Sequence, residues 1–488
     1  MFKFKNSYLN LGTSFYSISK PGFFPKPEII FFNETLFEQL TNQAPSKFDQ
    51  EFLAKVFSGQ EKIPDGIYYS QVYAAHQFGH FVPRLGDGRA IFIGEVESNN
   101  QLFDVQLKGS GPTEYSRRGD GFSALGPVLR EYIVSEFMHA INIPTTRALS
   151  AIKTNHKVYR ETILDGGVLT RVAASHIRIG TFQYFLAERS IENLDKLLRY
   201  SIERHYPHIL TDANPEDYAI HFLRAIINRQ TSLVAKWMSI GFIHGVMNTD
   251  NMSISGETID FGPCAFMDYF NFNQVYSYID RDGRYAYSNQ PRILGWNLGR
   301  LADTLIPILV KNKNVSEEMA IELLNRELNS INALFEEKFT HEFALKIGLE
   351  DFDMEIKKTF LENIFQIMTD QQLDFTNTYR SLSEKLIDDS TELDSSLHSF
   401  FENWTNVLKT KNISLSELGH KLIQINPIYI PRNHLIELAI NDAYNNQFDT
   451  IKNLHQVLKD PFTKREVDSS YSQPPTKEQI VKNTFCGT

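Results

Sequence analysis

The sequence predicts an α+β fold in two lobes, and three observations predict it. Short alternating strands with glycine-rich turns fill roughly residues 68–187, and helical spacing dominates from about 190 onward. With 488 residues, 42% of them hydrophobic, the chain is too long for one simple core. The expected units are an N-terminal extension (1–65), a β-rich N-lobe with nucleotide-binding loops (66–187), a C-lobe (188–314) and a helical C-terminal extension with a tail (315–488).

Each element has its reason. Residues 1–65 are rich in Phe, Pro and Asn and read as irregular, with some helix around 34–40. Side chains alternate between apolar and polar at 90–96 and 102–108, the pattern of half-buried strands, and further strands are expected at 157–163 and 167–172. Pro127 occupies the first-turn position of a helix running to about Ala140. Apolar residues recur at helical spacing in 221–227 and 233–240, and residues 315–460 are almost wholly helical by pattern. The polar stretch 468–482, with Pro474 and Pro475, is expected to be mobile.

A net charge of −10 argues against non-specific nucleic-acid binding. Two cysteines, Cys264 and Cys486, make neither a disulfide framework nor a cysteine-based zinc site. They fit a reducing compartment, and a cytoplasmic location is expected. No run approaches about 18 uninterrupted apolar residues, so no membrane span is expected. The first residues lack the apolar centre of a secretory signal. They carry lysines and no acid before Glu28, which leaves organelle targeting as the alternative, though no arginine precedes Arg84.

The chemistry concentrates in residues 244–263. His244-Gly-Val-Met-Asn248-Thr-Asp250-Asn251 is followed by an alternating stretch with Ser255-Gly256 at its centre, then by Asp260-Phe261-Gly262. A hairpin turning at Ser255-Gly256 would set Asn251 directly across from Asp260. An amide oxygen and a carboxylate so placed can share a hard cation such as Mg²⁺. Protein kinases use the same logic, holding magnesium with a catalytic-loop Asn and the Asp of Asp-Phe-Gly. A kinase carries its base two residues after the corresponding His; here that position is Val246, and a carboxylate stands instead at Asp250.

Upstream, Gly86-Asp-Gly88-Arg89 offers a turn whose backbone can approach phosphate beside a fixed guanidinium, although Gly-Asp-Gly alone also suits an ordinary hairpin. Val105-Gln-Leu-Lys108 resembles the kinase strand whose Lys pairs phosphate and a helix Glu; Glu131 and Glu136 are both available for that pair. The loop 109–121 is rich in glycine and arginine, Arg171 ends a strand, and Arg178 is expected in the first turn of a helix starting near Ser175. Arginines converging on one cleft would hold a triphosphate. Kinases need fewer, so a different grip on the nucleotide is indicated.

Taken together, these segments closely resemble the selenoprotein O family, also called the YdiU family, of protein adenylyltransferases. The stretches that carry the resemblance are HQFGHFVPRLGDGRAIFIGEV, DVQLKGSGPTEYSRRGDGFSALGPVLREYIVSEFMHAINIPTTRAL, VLTRVAASHIRIGTFQYF, FIHGVMNTDNMSISGETIDFGPCAFMD and QPRILGWNLGRLA, spanning roughly residues 70–305. The resemblance implies a protein-kinase-like fold that binds ATP in a flipped orientation and transfers AMP to Ser, Thr or Tyr hydroxyls of protein substrates. It implies Gly86, Gly88, Arg89, Lys108, Asp120, Gly121, Arg171, Arg178 and Asp260 as ATP-binding, and Glu131 as the partner of Lys108. Asn251 and Asp260 would hold Mg²⁺ or Mn²⁺, and Asp250 would accept the proton. It also points to Cys264 and Cys486 as a redox pair tethering the tail over the cleft, against the reading of two independent thiols. A conventional kinase and a catalytically dead ATP-binding scaffold are the competing readings; Val246 counts against the first, and the intact Lys108, Asp250, Asn251 and Asp260 against the second.

Overall fold

In the computed structural model, which describes residues 1–485, the chain is a mixed α/β protein built on one antiparallel sheet. Its strands are β1 (Tyr16–Ile18), β2 (Glu28–Phe32), β3 (Tyr69–Gln71), β4 (Ala75–Gln77), β5 (His80–Val82), β6 (Ala90–Ser98), β7 (Gln101–Lys108), β8 (Ser123–Ala124), β9 (Arg147–Tyr159), β10 (Ile163–Ala173), β11 (Phe242–Ile243) and β12 (Ala265–Phe266). The main sheet runs β1-β3-β6-β7-β10-β9-β2, with β8 also on β10; β4-β5 and β11-β12 form two separate pairs.

The expected strand over 157–163 is corrected. Lys157 and Tyr159 end β9, the chain turns at Arg160–Thr162, and Ile163 begins β10. The helix expected around 34–40 is present as Glu34–Thr41, but the expectation that the rest of 1–65 is irregular is corrected. This segment's strands β1 and β2 close the two edges of the main sheet, and its helices α1 (Glu34–Thr41) and α2 (Gln50–Ser58) cover one sheet face. Asn33 and Asp49 cap these helices through their side chains. Phe37, Val56 and Phe57 pack there against Val105, Leu107 and Ile152.

The opposite face of β7 carries Asp104, Gln106 and Lys108, all buried. Most buried polar groups find partners: Asp104 is held by Arg204 and His176, Lys108 by Glu131, and the Gln106 oxygen accepts from Arg171, while the Gln106 amide nitrogen has no partner among the described residues. The helix α3 (Leu125–Ala140) brings Glu131 to this face and is buried nearly all round. It lies between β9–β10 and the helix Asn433–Tyr444, whose Tyr444 hydroxyl accepts from the Gly126 amide at 2.9 Å.

Beyond the sheet follow α4 (Ile179–Ala187), α5 (Ile191–His205), α6 (Ile209–Asp212), α7 (Tyr218–Ser239) and α8 (Gln290–Lys313), then eight more α-helices between Glu317 and Leu458. The two apolar runs at 221–227 and 233–240 fall in the single helix α7. The stretch Tyr287–Lys313 is long and apolar enough to cross a membrane, but 56% of its most apolar window is buried within the protein, where α8 meets α4 and α7. The segment expected to be mobile is fastened at both ends. Ser472 O accepts from Arg432 at 2.9 Å, and the Thr484 amide donates to Tyr276 O at 2.7 Å.

Candidate functional site

A cavity of about 820 Å³ opens between the glycine-rich turns of the sheet and the segment 246–260. Gly86, Gly88, Arg89, Lys108, Asp120, Gly121, Arg171, Arg178, Asp250, Asn251 and Asp260 all line it. Glu131 lies beneath, reached through Lys108.

The turn 86–88 is glycine for a steric reason. Gly86 has φ +65°, and a Cβ there would lie 2.3 Å from the Tyr115 ring; one on Gly88 would lie 2.9 Å from Tyr115 O. Between them, Asp87 is buried, accepting from the Gln71 amide at 3.0 Å and standing 3.4 Å from Arg178. Lys108 ends β7, with Nζ 2.5 Å from Glu131 and in contact with Asp260. Of the two candidate acids, Glu131 thus takes the lysine, while Glu136 is tied to Arg147. Arg171 donates to Glu131 at 3.1 Å and Gln106 at 2.6 Å. Arg178 is the N-cap of α4 rather than part of its first turn, because the helix begins at Ile179. It donates to Asp250 O at 3.0 Å and stacks over Tyr73 at 4.4 Å.

The hairpin expected between Asn251 and Asp260 does not form as a ladder. Its two arms pair outward: Met252 and Ile254 with Ile179 and Ile177, and Thr258 with Pro144 and Thr146. Ser253 O accepts from Gly256 N at 3.2 Å, which closes the turn alone. Asn251 and Asp260 still meet at the cavity, for reasons other than cross-strand pairing. His244 anchors the start and end of the segment through Ile259 O at 2.9 Å. Asp260 has φ +68°, a left-handed conformation costly for a residue with a Cβ.

Asn251 donates its amide to Val246 O at 2.9 Å, which leaves its oxygen buried and without a partner among the described residues. Asp250 is in the same condition at Oδ1; its Oδ2 accepts from Gln77 at 3.4 Å. Burial pushes the Asp250 carboxyl up to about 6 against the pull of Arg178, and Asp260 adds to the rise. Burial would likewise raise Asp260, but Lys108, Arg89 and Arg171 outweigh it and hold that carboxyl well below the usual carboxylate range. Among the described residues, no group of three or more His, Cys, Asp or Glu side chains gathers as a metal site. The orphaned Asn251 oxygen and the Asp260 carboxylate, both lining the cavity, nevertheless fit a hard divalent cation that draws its remaining oxygens from phosphate and water.

Cys264 is buried, its thiol 3.4 Å from Phe261 O, and burial pushes it up to about 12. Cys486 lies outside the described residues, and with it the expected pair. Sequence reasoning missed Asp87, Tyr73 and Gln77. Only Asp87 carried a signal, as an acid enclosed by two glycines of a turn.

A basic cavity with a lysine set between two carboxylates suits the binding of nucleoside phosphates. The family model described as "Protein adenylyltransferase SelO" matches residues 1–459. The chain is 45% identical to a "Protein nucleotidyltransferase YdiU" of Agrobacterium fabrum, covering 100% of both chains. It is 42% identical to a protein of that name from Clostridium perfringens, over 100% of this chain and 98% of the other, and 44% identical to one from Bacillus cereus, over 99% and 98%. The chain belongs to the SelO family of protein adenylyltransferases, the family also named YdiU.

Proposed function

We propose that this enzyme moves AMP from ATP to Ser, Thr or Tyr hydroxyls of protein substrates and releases pyrophosphate. The supporting observation is the pair of orphaned oxygens, Asp250 Oδ1 and Asn251 Oδ1, in the wall of a basic cavity, where the kinase base position is held by Val246.

In this reading the fold is kinase-like, with 66–187 and 188–314 as lobes on either side of the cavity and ATP lying reversed between them. Gly86, Gly88 and Gly121 let the backbone approach the nucleotide. Arg89, Lys108, Arg171 and Arg178 hold the phosphates, while Asp120 and Asp260 complete the ATP site. Glu131 orients Lys108. Asn251 and Asp260 would hold Mg²⁺ or Mn²⁺, which when bound supplies charge neutralisation at the phosphates. The substrate hydroxyl oxygen bonds to the α-phosphorus as the bond from that phosphorus to the bridging oxygen of pyrophosphate breaks. Asp250 takes the hydroxyl proton; a carboxyl raised by burial is a better base than an exposed one. The cytoplasm is the proposed compartment.

Incubation with α-labelled and, separately, γ-labelled ATP tests the reading. Label on protein is expected only from the α position and is lost in Asp260→Ala. Transfer from the γ position alone would make the enzyme a kinase, and nucleotide binding without transfer from either position would make it a scaffold.

A further inference from the structure

The mouth of the cavity carries two arginines to which the proposed ATP site assigns no role. Arg117 and Arg118 line the cavity, are exposed, and make no side-chain hydrogen bond or ion pair among the described residues. The acids around them are already engaged: Glu114 with Arg84, and Asp120 with Arg160 at 2.8 Å. The rim therefore holds uncompensated positive charge on a chain whose net charge is −10.

The loop presenting them is held at both ends. Ser116 Oγ donates to Gly88 O at 2.5 Å and accepts from the Thr113 amide at 2.7 Å. Asp120 caps the Phe122 amide at 3.0 Å. A Cβ on Gly121 would lie 2.3 Å from the Gly111 backbone, so the loop presses directly on its neighbour. Between these ties Arg117 adopts φ 56°, a left-handed conformation unfavourable for arginine. The backbone thus spends strain to display two charged side chains at the opening. Two exposed apolar side chains, Tyr159 and Ile279, share the same mouth.

We infer that Arg117 and Arg118 select the protein substrate, by docking an acidic segment next to the hydroxyl that receives AMP. This rests on the adenylyltransferase reading. The deep cations, Lys108, Arg171 and Arg178, are buried and suited to phosphate; the rim pair is exposed and suited to a partner arriving from solvent. Uncompensated charge at an opening raises encounter with oppositely charged partners and sets their register more than it adds raw affinity.

The test uses the full-length enzyme, α-labelled ATP, and three peptides with the same Ser, Thr and Tyr acceptors flanked by Glu, by Gln or by Lys. The Glu-flanked peptide should be labelled with a kcat/KM about tenfold above the Gln-flanked one, the Lys-flanked peptide least, and the preference should fade with added salt. The double variant Arg117→Glu/Arg118→Glu should reverse that order, and Arg117→Gln/Arg118→Gln should flatten it, both with an unchanged KM for ATP. Equal labelling of the three peptides by the wild type overturns the inference. So does a raised KM for ATP with the peptide preference intact, which would assign the pair to the nucleotide. Wild-type enzyme that labels a mixture of cellular proteins but none of the peptides also overturns it. Failure to label any protein at all would instead sink the adenylyltransferase reading.

Discussion

At the scale of single residues, Asp250 and Lys108 have different surroundings and should fail differently. Asp250 touches the rest of the site through its backbone, which accepts from Arg178, and through one long bond from Gln77. Asp250→Ala is therefore expected to lower kcat by about 10²–10⁴-fold, the usual worth of a general base, with little change in ATP affinity. Equal loss of ATP binding, measured by calorimetry beside the kinetics, would make Asp250 a ligand instead. Lys108 joins Glu131 to Asp260, so Lys108→Ala should weaken both binding and transfer, leaving the buried Glu131 and the half-buried Asp260 without their shared cation. These residues were legible because their motifs are contiguous: Asp250, Asn251 and Asp260 lie within one short run, and Lys108 ends an alternating strand. Tyr73 and Gln77 were not, since each reaches the site only through tertiary packing, against Arg178 and Asp250 respectively.

At the scale of elements, the C-terminal helices prove to be structural partners of the site, which their sequence pattern did not disclose. Arg432, fully buried, joins Asp268 at 2.6 Å, just beyond β12, to Asp374 at 2.8 Å and to Ser472 O. Removing it strands two carboxylates in the interior; burial already pushes Asp268 up to about 6 despite Arg432. Arg432→Met should cost roughly 3–5 kcal/mol in denaturant unfolding, as broken buried ion pairs do. A change below about 1 kcal/mol would show that the three elements hold together by apolar packing alone. Strand alternation made β6 and β7 legible, down to the polar face of β7. The edge strands β1 and β2 escaped because three to five residues carry too little periodicity. The hairpin over 252–259 misled because its alternation is real, but its partners are Ile177, Ile179, Pro144 and Thr146.

At the scale of the whole molecule, one buried polar network ties the sheet to the helices and should contribute to how the protein meets acid. Arg204 of α5 bridges Glu95 of β6 and Asp104 of β7, each at 2.6 Å, and Asp104 stands 3.0 Å from His176 Nδ1, just before α4. Burial pulls His176 down to about 4, although Asp104 favours its charged form; burial also holds His205, nearby on α5, well below its ordinary value. The sign follows from linkage. A base whose folded pKa is depressed binds protons more readily when unfolded, so stability rises with pH between the folded and unfolded values. For His176 the window runs from about 4 to the ordinary value of about 6.5. Acidification across that window should remove up to about 3 kcal/mol through this one group. Thermal melts taken from pH 7 to pH 4 should show a steep fall in Tm, blunted in His176→Gln, which keeps a polar group beside Asp104 but cannot titrate. Glu257 works in the opposite direction: burial pushes it up to about 7, so its contribution to stability declines as pH rises through the acid range. The Glu257→Gln variant should accordingly steepen the acid loss. If the wild type and His176→Gln melt in parallel across the whole range, acid sensitivity arises outside this network.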